Sequence, residues 1–442
     1  MFRRFSIGLI LAIACFPLPA LAQETIAIQG ARLLTVTHGV IENGTVLVEN
    51  GKISAVGAGV RVPAGAKVID ARGKVVTPGL IDSGDLLGLV EIPAEKITVD
   101  STEYNDPMHP ELRVMDALNP GSEWVRVSRA AGITNAVSTP APGNLIAGLS
   151  AVISLDGETV EPVVVKSPAA LVINLGEASK ETYAEKNKPP TTRMGQMAML
   201  RQAFLKAQHY RAQHEAYAQR QAAGKTGENT ANSEGERSFG PPGRDLKMEA
   251  LLEALDGKIP VVVRANRVSD LEMALRLAEE FHLRLILSGA AGAWRIADEL
   301  AARKIPVIVG PILTQPNRME TLDARLENAA LLHKAGVSIA IQSGSNALVR
   351  ELPFEIEYAV SYGLPEDAAL AAVTINPARL FGVDDRLGSL EIGKQANLLV
   401  LDGMPFRVKT HVITELINGK VVELSNHQTE LYEFYKKKYG IE

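Results

Sequence analysis

Cysteine is almost absent from this chain of 442 residues, where Cys15 is the only one. It lies in a segment that reads as an export signal, so disulfides and thiol chemistry are excluded once that segment is removed. Aromatic residues are few, at 5%. No stretch approaches the roughly 20 consecutive apolar residues that a membrane-spanning helix needs. An excess of positive charge is missing too: 46 basic and 51 acidic residues leave a net −5, which gives no electrostatic footprint for nucleic acid. What remains is an ordinary globular balance, 46% hydrophobic and 22% charged, long enough to bury a sizeable core.

The first 22 residues combine Arg3 and Arg4, an apolar run from Phe5 to about Phe16, and Ala20-Leu21-Ala22 as a cleavage site. A periplasmic or secreted chain beginning at Gln23 is expected, with 44 basic against 51 acidic residues and a net −7. Ala12-Ile13-Ala14-Cys15 offers a second reading, a lipoprotein box, but lacks the leucine usual at its first position.

Two patterns follow. From Gln23 to about Val76 the chain is short-stranded (Thr45 to Val48, Ile53 to Val56, Lys67 to Ile69) around Gly/Asn turns, and the same signature returns at Asn397 to Leu401, Val412 to Ile417 and Gly419 to Val422. Sheets this small need another layer, so residues 23–76 and 388–424 are expected to build one composite β-sandwich domain. Between them strands and helices alternate: Ile259 to Val263, helix Ser269 to Phe281, Leu283 to Leu287, helix Trp294 to Ala302, Ile305 to Val309, helix Leu322 to Lys334, Val337 to Ile341. Apolar strands alternating with helices imply parallel strands buried on both faces. Their spacing over residues 77–387 fits a (β/α)8 TIM barrel better than an open sheet. A long helix at Arg193 to Ala223 and a Gly-rich, polar stretch from Gly224 to Arg244 read as an insertion projecting from the barrel, about 186–245. Residues 425–442 read as a C-terminal helical tail.

Val76-Thr77-Pro78-Gly79-Leu80-Ile81-Asp82 and the run TINPARLFGVDDRLGSLEIGKQANLLVLDGMP from Thr374 to Pro405 resemble the amidohydrolase superfamily, particularly its exported imidazolonepropionase- and prolidase-like branch. The resemblance spans nearly the whole chain after the export segment. It implies a composite β-sandwich, a (β/α)8 barrel and a mono- or dinuclear site, usually of zinc or another divalent metal, that hydrolyses C–N bonds. An H-x-H pair on the first barrel strand serves such a site because residues two apart face the same way, and the metal then activates water.

Set against a family pattern of the type PGLIDAHTHLGL, this chain reads PGLIDSGDLLGL, with Gly84 and Leu86 at the histidine positions. The resemblance places Val172 at the fourth-strand lysine, Arg264 and Ser288 at the fifth- and sixth-strand histidines, and Gly344 at the eighth-strand aspartate. No metal is therefore expected. The eight histidines (His38, His109, His209, His214, His282, His333, His411, His427) read as exposed or helix-capping, none at a strand end. His209 and His214, five apart, are about 140° from each other on a helix.

Asp82 reads as structural. Asp85, at the spacer position, should point away from the barrel axis unless the strand end twists. Arg264 sets a permanent charge in the mouth; it either pairs with Asp82 or Asp85 or binds an anionic ligand, with Asn266, Arg267, Ser288, Gln342, Ser343 and Ser345 as further polar groups around it. No histidine is in register to activate a serine. Two functions follow. In the first, the chain has lost metal-dependent hydrolysis and acts as a binding or partner subunit, as a homo-oligomer, with an active amidohydrolase subunit, or with a small anion at Asp85, Arg264, Asn266, Ser288 and Ser343. In the second, it hydrolyses C–N bonds of peptides or cyclic amides through a displaced or unconventional site.

Overall fold

A computed structural model describes residues 24–222, 242–316 and 318–441. The expected export segment, with Cys15 and its lipoprotein box, and positions 223–241 of the expected Gly-rich stretch lie outside the described residues.

Both ends of the described chain meet in one eight-stranded sheet. Its first strands are β1 (Ile26–Leu34), β2 (Val40–Glu49), β3 (Lys52–Gly57), β4 (Lys67–Asp70) and β5 (Val75–Pro78). Asn50 and Gly51, both at positive φ, turn β2 into β3, the conformation that an Asn-Gly hairpin supplies without strain. After the middle of the chain come β6 (Leu80–Asp85), β7 (Ile133–Ser138), β8 (Ile146–Leu149), β9 (Ala151–Ser154), β10 (Val164–Lys166), β11 (Leu171–Asn174), β12 (Val261–Ala265), β13 (Leu285–Gly289), β14 (Val307–Val309) and β15 (Ile339–Ile341). The last strands are β16 (Leu398–Leu401), β17 (Val412–Ile417) and β18 (Lys420–Val421). β16 runs antiparallel to β5, Leu399 facing Thr77, and so joins the two ends. Ile28, Leu33, Val46, Ile53, Leu398, Val400 and Leu416 form the core of this sheet.

The middle is mixed α/β. β11 to β15 are parallel in chain order, β6 is parallel to β7, and antiparallel pairings attach β9 to β7 and β8 to β11. Alternate residues divide between two cores, as a two-residue period requires. Ile81, Val137, Val152, Val262, Ile286, Ile308 and Ala340 pack together on one side, over Phe381 and Leu387. Val261, Val263, Leu285, Leu287, Val307 and Ile339 face the helices on the other.

Three helices differ from the sequence reading. Leu322 to Lys334 is helical only from Asn328 to Lys334. Asn328 sits at the start, its amide donating to the Ala290 carbonyl and accepting from the Trp294 N–H, and these tertiary bonds fix where the helix begins. Trp294 to Ala302 opens with a tight 3-10 turn over Ala293–Ile296 before the α-helix Ala297–Ala302. The long helix, Arg193–Ala222, does not project along its first half. Met197, Leu200, Ala203, Phe204 and Ala207 are buried, and the Phe204 ring lies 5.1 Å from that of Phe281. Its apolar stripe thus packs on the helices that cover the parallel strands, and only the polar second half lacks buried residues.

Candidate functional site

The C-terminal ends of the parallel strands place one polar layer. Strand pairing sets Asn174 beside Arg264 and Arg264 beside Ser288, each two residues beyond an inward apolar residue (Val172, Val262, Ile286), so these side chains share its face. Val172, expected as the ligand-equivalent residue of its strand, pairs with Val262 and lies one layer deeper. Asn174 takes the place expected of it, because a same-face position moves in steps of two.

Arg264 does not pair with Asp82 or Asp85: among the described residues no carboxylate lies within ion-pair distance of it. Its guanidinium donates instead to the Pro140 carbonyl at 2.7 Å, to Asn174 Oδ1 at 3.3 Å and to Thr139 Oγ1. Burial pulls its pKa down to about 10, against the nearby charge of Asp85. A guanidinium has five N–H donors, so three bonds leave hydrogens on Nε and Nη2 for the cavity. Gln342, just after β15, lines the same cavity. Its Oε1 accepts from Ser288 Oγ at 3.0 Å and its Nε2 donates to the Gly310 carbonyl at 2.9 Å.

The two aspartates are buried and do not line the cavity. Between Asp82 and Asp85 the pairing of β6 with β7 shifts register, three residues against two, which bends the strand end. Asp82 accepts from the N–H groups of Gly84 and Ser343 at 3.0 and 3.2 Å. Burial pushes its pKa up to about 7, with Glu355 adding and the Ser343 and Gly84 donors opposing. Asp85 accepts from the Leu87 N–H at 2.8 Å while its Oδ2 is buried without a partner. Burial, then Asp82, hold its carboxyl well above the usual range.

Arg264, Asn266, Ser288 and Gln342 line a cavity of about 260 Å³ together with Gly84, Leu86 and Gly344. Asp85 and Ser343, expected in that site, are not among its lining residues; nor are Arg267, which precedes the helix Val268–Phe281, or Ser345. Ser343 is turned to Asp82 by the backbone bond just given. The sequence reading missed Arg318, Glu320 and Arg325, which come from the irregular stretch after β14 and carry no periodic signal. Glu320 is buried, accepting from the Glu177 N–H at 2.7 Å and from Asn266 Nδ2 at 3.2 Å, and burial raises its pKa. Arg318 pairs with Glu181 at 2.8 Å, and Arg325 lies 3.9 Å from the Trp294 ring centre with no ion pair among the described residues.

The residues present do not fit a divalent metal. The layer offers a guanidinium, two amides and a hydroxyl: zinc takes imidazole, thiolate or carboxylate, and a harder ion that accepts amide oxygens would still meet the positive charge of Arg264. Among the described residues no three His, Cys, Asp or Glu side chains cluster so as to hold one. His109, expected to be exposed or capping, is buried, with its ring nitrogens 3.0 Å from Glu111 and 2.6 Å from Asn105. No helix among the described residues is long and apolar enough to cross a membrane.

Parallel strands with covering helices and a polar cavity at their C-terminal ends place the chain among α/β proteins whose sites are built from strand-end loops. Residues 277–427 match the Amidohydrolase family. The chain is similar to an amidohydrolase from Thermotoga maritima MSB8 of known structure, 33% identical with a TM-score of 0.81, over 90% of this chain and 99% of that one. It is also 27% identical over 395 residues to amidohydrolase tasK of Hapsidospora irregularis, covering 85% of this chain but only 39% of that protein. A dihydroorotase from Geobacter metallireducens is 49% identical over 55 residues, 12% of this chain and 13% of that protein. The chain belongs to the amidohydrolase superfamily.

Proposed function

We propose that this amidohydrolase-fold chain is an exported binding protein whose cavity takes a small anionic molecule without a metal. In this reading the strands of residues 77–387 close into a (β/α)8 barrel, and residues 23–76 and 388–424 form a separate composite domain. The bond from the Gly344 N–H to the Gly84 carbonyl, 3.0 Å, supports closure, since it ties the chain after β15 to β6. The observation that carries the function is Arg264: a cation lining the cavity, bonded only to neutral acceptors and with hydrogens to spare. Carboxylates and phosphates recognise that planar fork through charge-assisted bonds. Arg325 adds positive charge to the same lining, which also holds Glu320 and the Glu181-paired Arg318.

A second reading, hydrolysis of C–N bonds, draws on the names of the relatives and on the buried Asp82 and Asp85, a raised-pKa pair of the sort that moves protons. One experiment separates the two. The purified chain is loaded with zinc or manganese and desalted, its metal content is measured, and glutarate binding and hydrolysis of glycyl-proline and dihydroorotate are followed. Saturable glutarate binding without stoichiometric metal supports the first reading. About one ion per chain with chelator-sensitive hydrolysis establishes the second.

A further inference from the structure

The 13-residue helix His427–Tyr439 has no buried residue. Its root is moored to the body. Asn426 and Thr429 close a capping box, Glu430 pairs with Arg126 at 2.6 Å, and the His427 N–H donates to Glu123 at 2.7 Å. Past the root, Leu431, Tyr432, Phe434, Tyr435 and Tyr439 are all exposed, Tyr432 to 63%. At 100° per residue these five span less than half the helix circumference, with Glu430, Glu433, Lys436 and Lys437 opposite. Tyr435 and Tyr439 stack at 6.1 Å, and Lys438 lies 5.5–6.0 Å from three rings of the same face. A helix of this length is marginal alone in water and draws its stability from burying such a face. Covering this face would add that stability.

A second strip lacks a cover as well. Phe354, Tyr358 and Tyr362, four apart on and just after the helix Leu352–Ser361, are each more than 40% exposed, and that spacing puts them on one side. The strip starts beside the root of the C-terminal helix: Arg350 donates to Gln428 at 3.3 Å, and Phe354 and Gln428 line one open groove. The helix nevertheless leaves the strip of its own chain bare. Charges on the two surfaces are complementary. Lys438 on the aromatic face of the helix, and Glu357 next to Tyr358 on the strip's own helix, have no ion pair among the described residues.

We propose that a second copy of this chain supplies both covers, in a two-fold dimer where the C-terminal helix of each copy lies on the Phe354–Tyr362 strip of the other. A two-fold axis makes the contact twice, root beside root and tip on strip, and closes the assembly. Each copy buries seven rings in the two contacts, four on the helix and three on the strip, and with about half of each ring's roughly 150–250 Å² still exposed they supply roughly 500–900 Å² per partner, which brackets the roughly 800 Å² typical of a stable interface. This inference is independent of what the cavity binds.

The test is the mass of the purified full chain by size-exclusion chromatography with light scattering, over a concentration series. Twice the chain mass is expected. Tyr358→Glu on the strip and Tyr435→Glu on the helix, both at exposed positions and so with unchanged circular dichroism, should each raise the dimer dissociation constant at least about tenfold. Lys438→Glu should weaken the dimer, and adding Glu357→Lys should recover much of the loss. A monomer throughout the series overturns the proposal, as does a dimer indifferent to both tyrosine variants. So does a monomer whose helix instead drives sedimentation with phosphatidylglycerol vesicles and loses it in Tyr435→Glu, which would make the cover a lipid surface.

Discussion

Gly84 and Gln342 meet closely in the lining of the cavity: a Cβ added to Gly84 would lie 2.5 Å from Gln342 Oε1. A Cβ there would force the Gln342 amide to move and so to bend or break its bonds from Ser288 and to the Gly310 carbonyl. Gly84→Ala is therefore expected to destabilise the chain by about 1–3 kcal/mol, as overpacking does. Gln342→Ala also costs stability, because it orphans buried partners. In the double variant the clash is gone, so its loss should fall short of the sum of the two by about 1 kcal/mol or more. Urea unfolding midpoints of the four proteins measure this, and simple additivity would refute the packing argument.

The long helix invites a packing test. Phe204 is fully buried beside Phe281, so Phe204→Ala should cost about 3–5 kcal/mol. Lys206→Ala, two residues on and exposed, should stay within about 0.5 kcal/mol. Equal losses at the two positions would mean that the first half of the helix is not seated as described.

Much of this architecture is legible in the sequence because it depends on period. The apolar runs around Val262, Ile286, Ile308 and Ala340 announce parallel strands covered on both faces, and the stripe Met197, Leu200, Phe204 announces a helix. The site is less legible, because it depends on meetings between distant residues. Nothing near Arg264 in sequence reveals that Thr139, Pro140 and Asn174 receive its hydrogens. Alignment put Val172 where strand pairing puts Asn174, since a two-residue slip keeps the same face and only register distinguishes the layers. Arg325 and Glu320 lie in a stretch whose shape is set by tertiary bonds such as those of Asn328.

Buried carboxyls give the chain a pH dependence of definite sign. Glu415 is fully buried with neither oxygen bonded; burial, with Asp156 adding and Arg129 opposing, holds its pKa well above the usual value. In the unfolded chain the group ionises from about pH 4.3 upward, while the folded chain keeps the proton. The folded state then binds more protons, and stability falls as pH rises, by up to about 1.4 kcal/mol per pH unit for one group. Its contribution is fully present below the unfolded value. Asp82, raised to about 7, acts in the same direction from about pH 4 to 7. Glu415→Gln should leave stability at pH 4 nearly unchanged and raise it at pH 8, as read by urea unfolding at both values. A gain at pH 4 equal to that at pH 8 would show that the carboxyl is not titrating as argued.

Arg264 tests the proposed ligand class. Its bonds to Pro140, Thr139 and Asn174 fix the guanidinium plane, so the hydrogens left over have a set direction. A lysine at this position could satisfy one or two of those acceptors but could not also present a planar fork. Arg264→Lys is thus expected to keep the fold while weakening glutarate at least about tenfold, the loss of about 1.4 kcal/mol of charge-assisted bonding. Arg325→Gln, which removes a cation lining the same cavity, should weaken binding less, because that side chain is exposed to solvent. Raising the salt concentration should then erode the Arg325 contribution first, since screening acts most on exposed charges. Isothermal titration calorimetry of the three proteins at low and high salt gives each comparison directly. Glutarate binding that is unchanged in Arg264→Lys would remove this arginine from the recognition site and with it the basis for an anionic ligand.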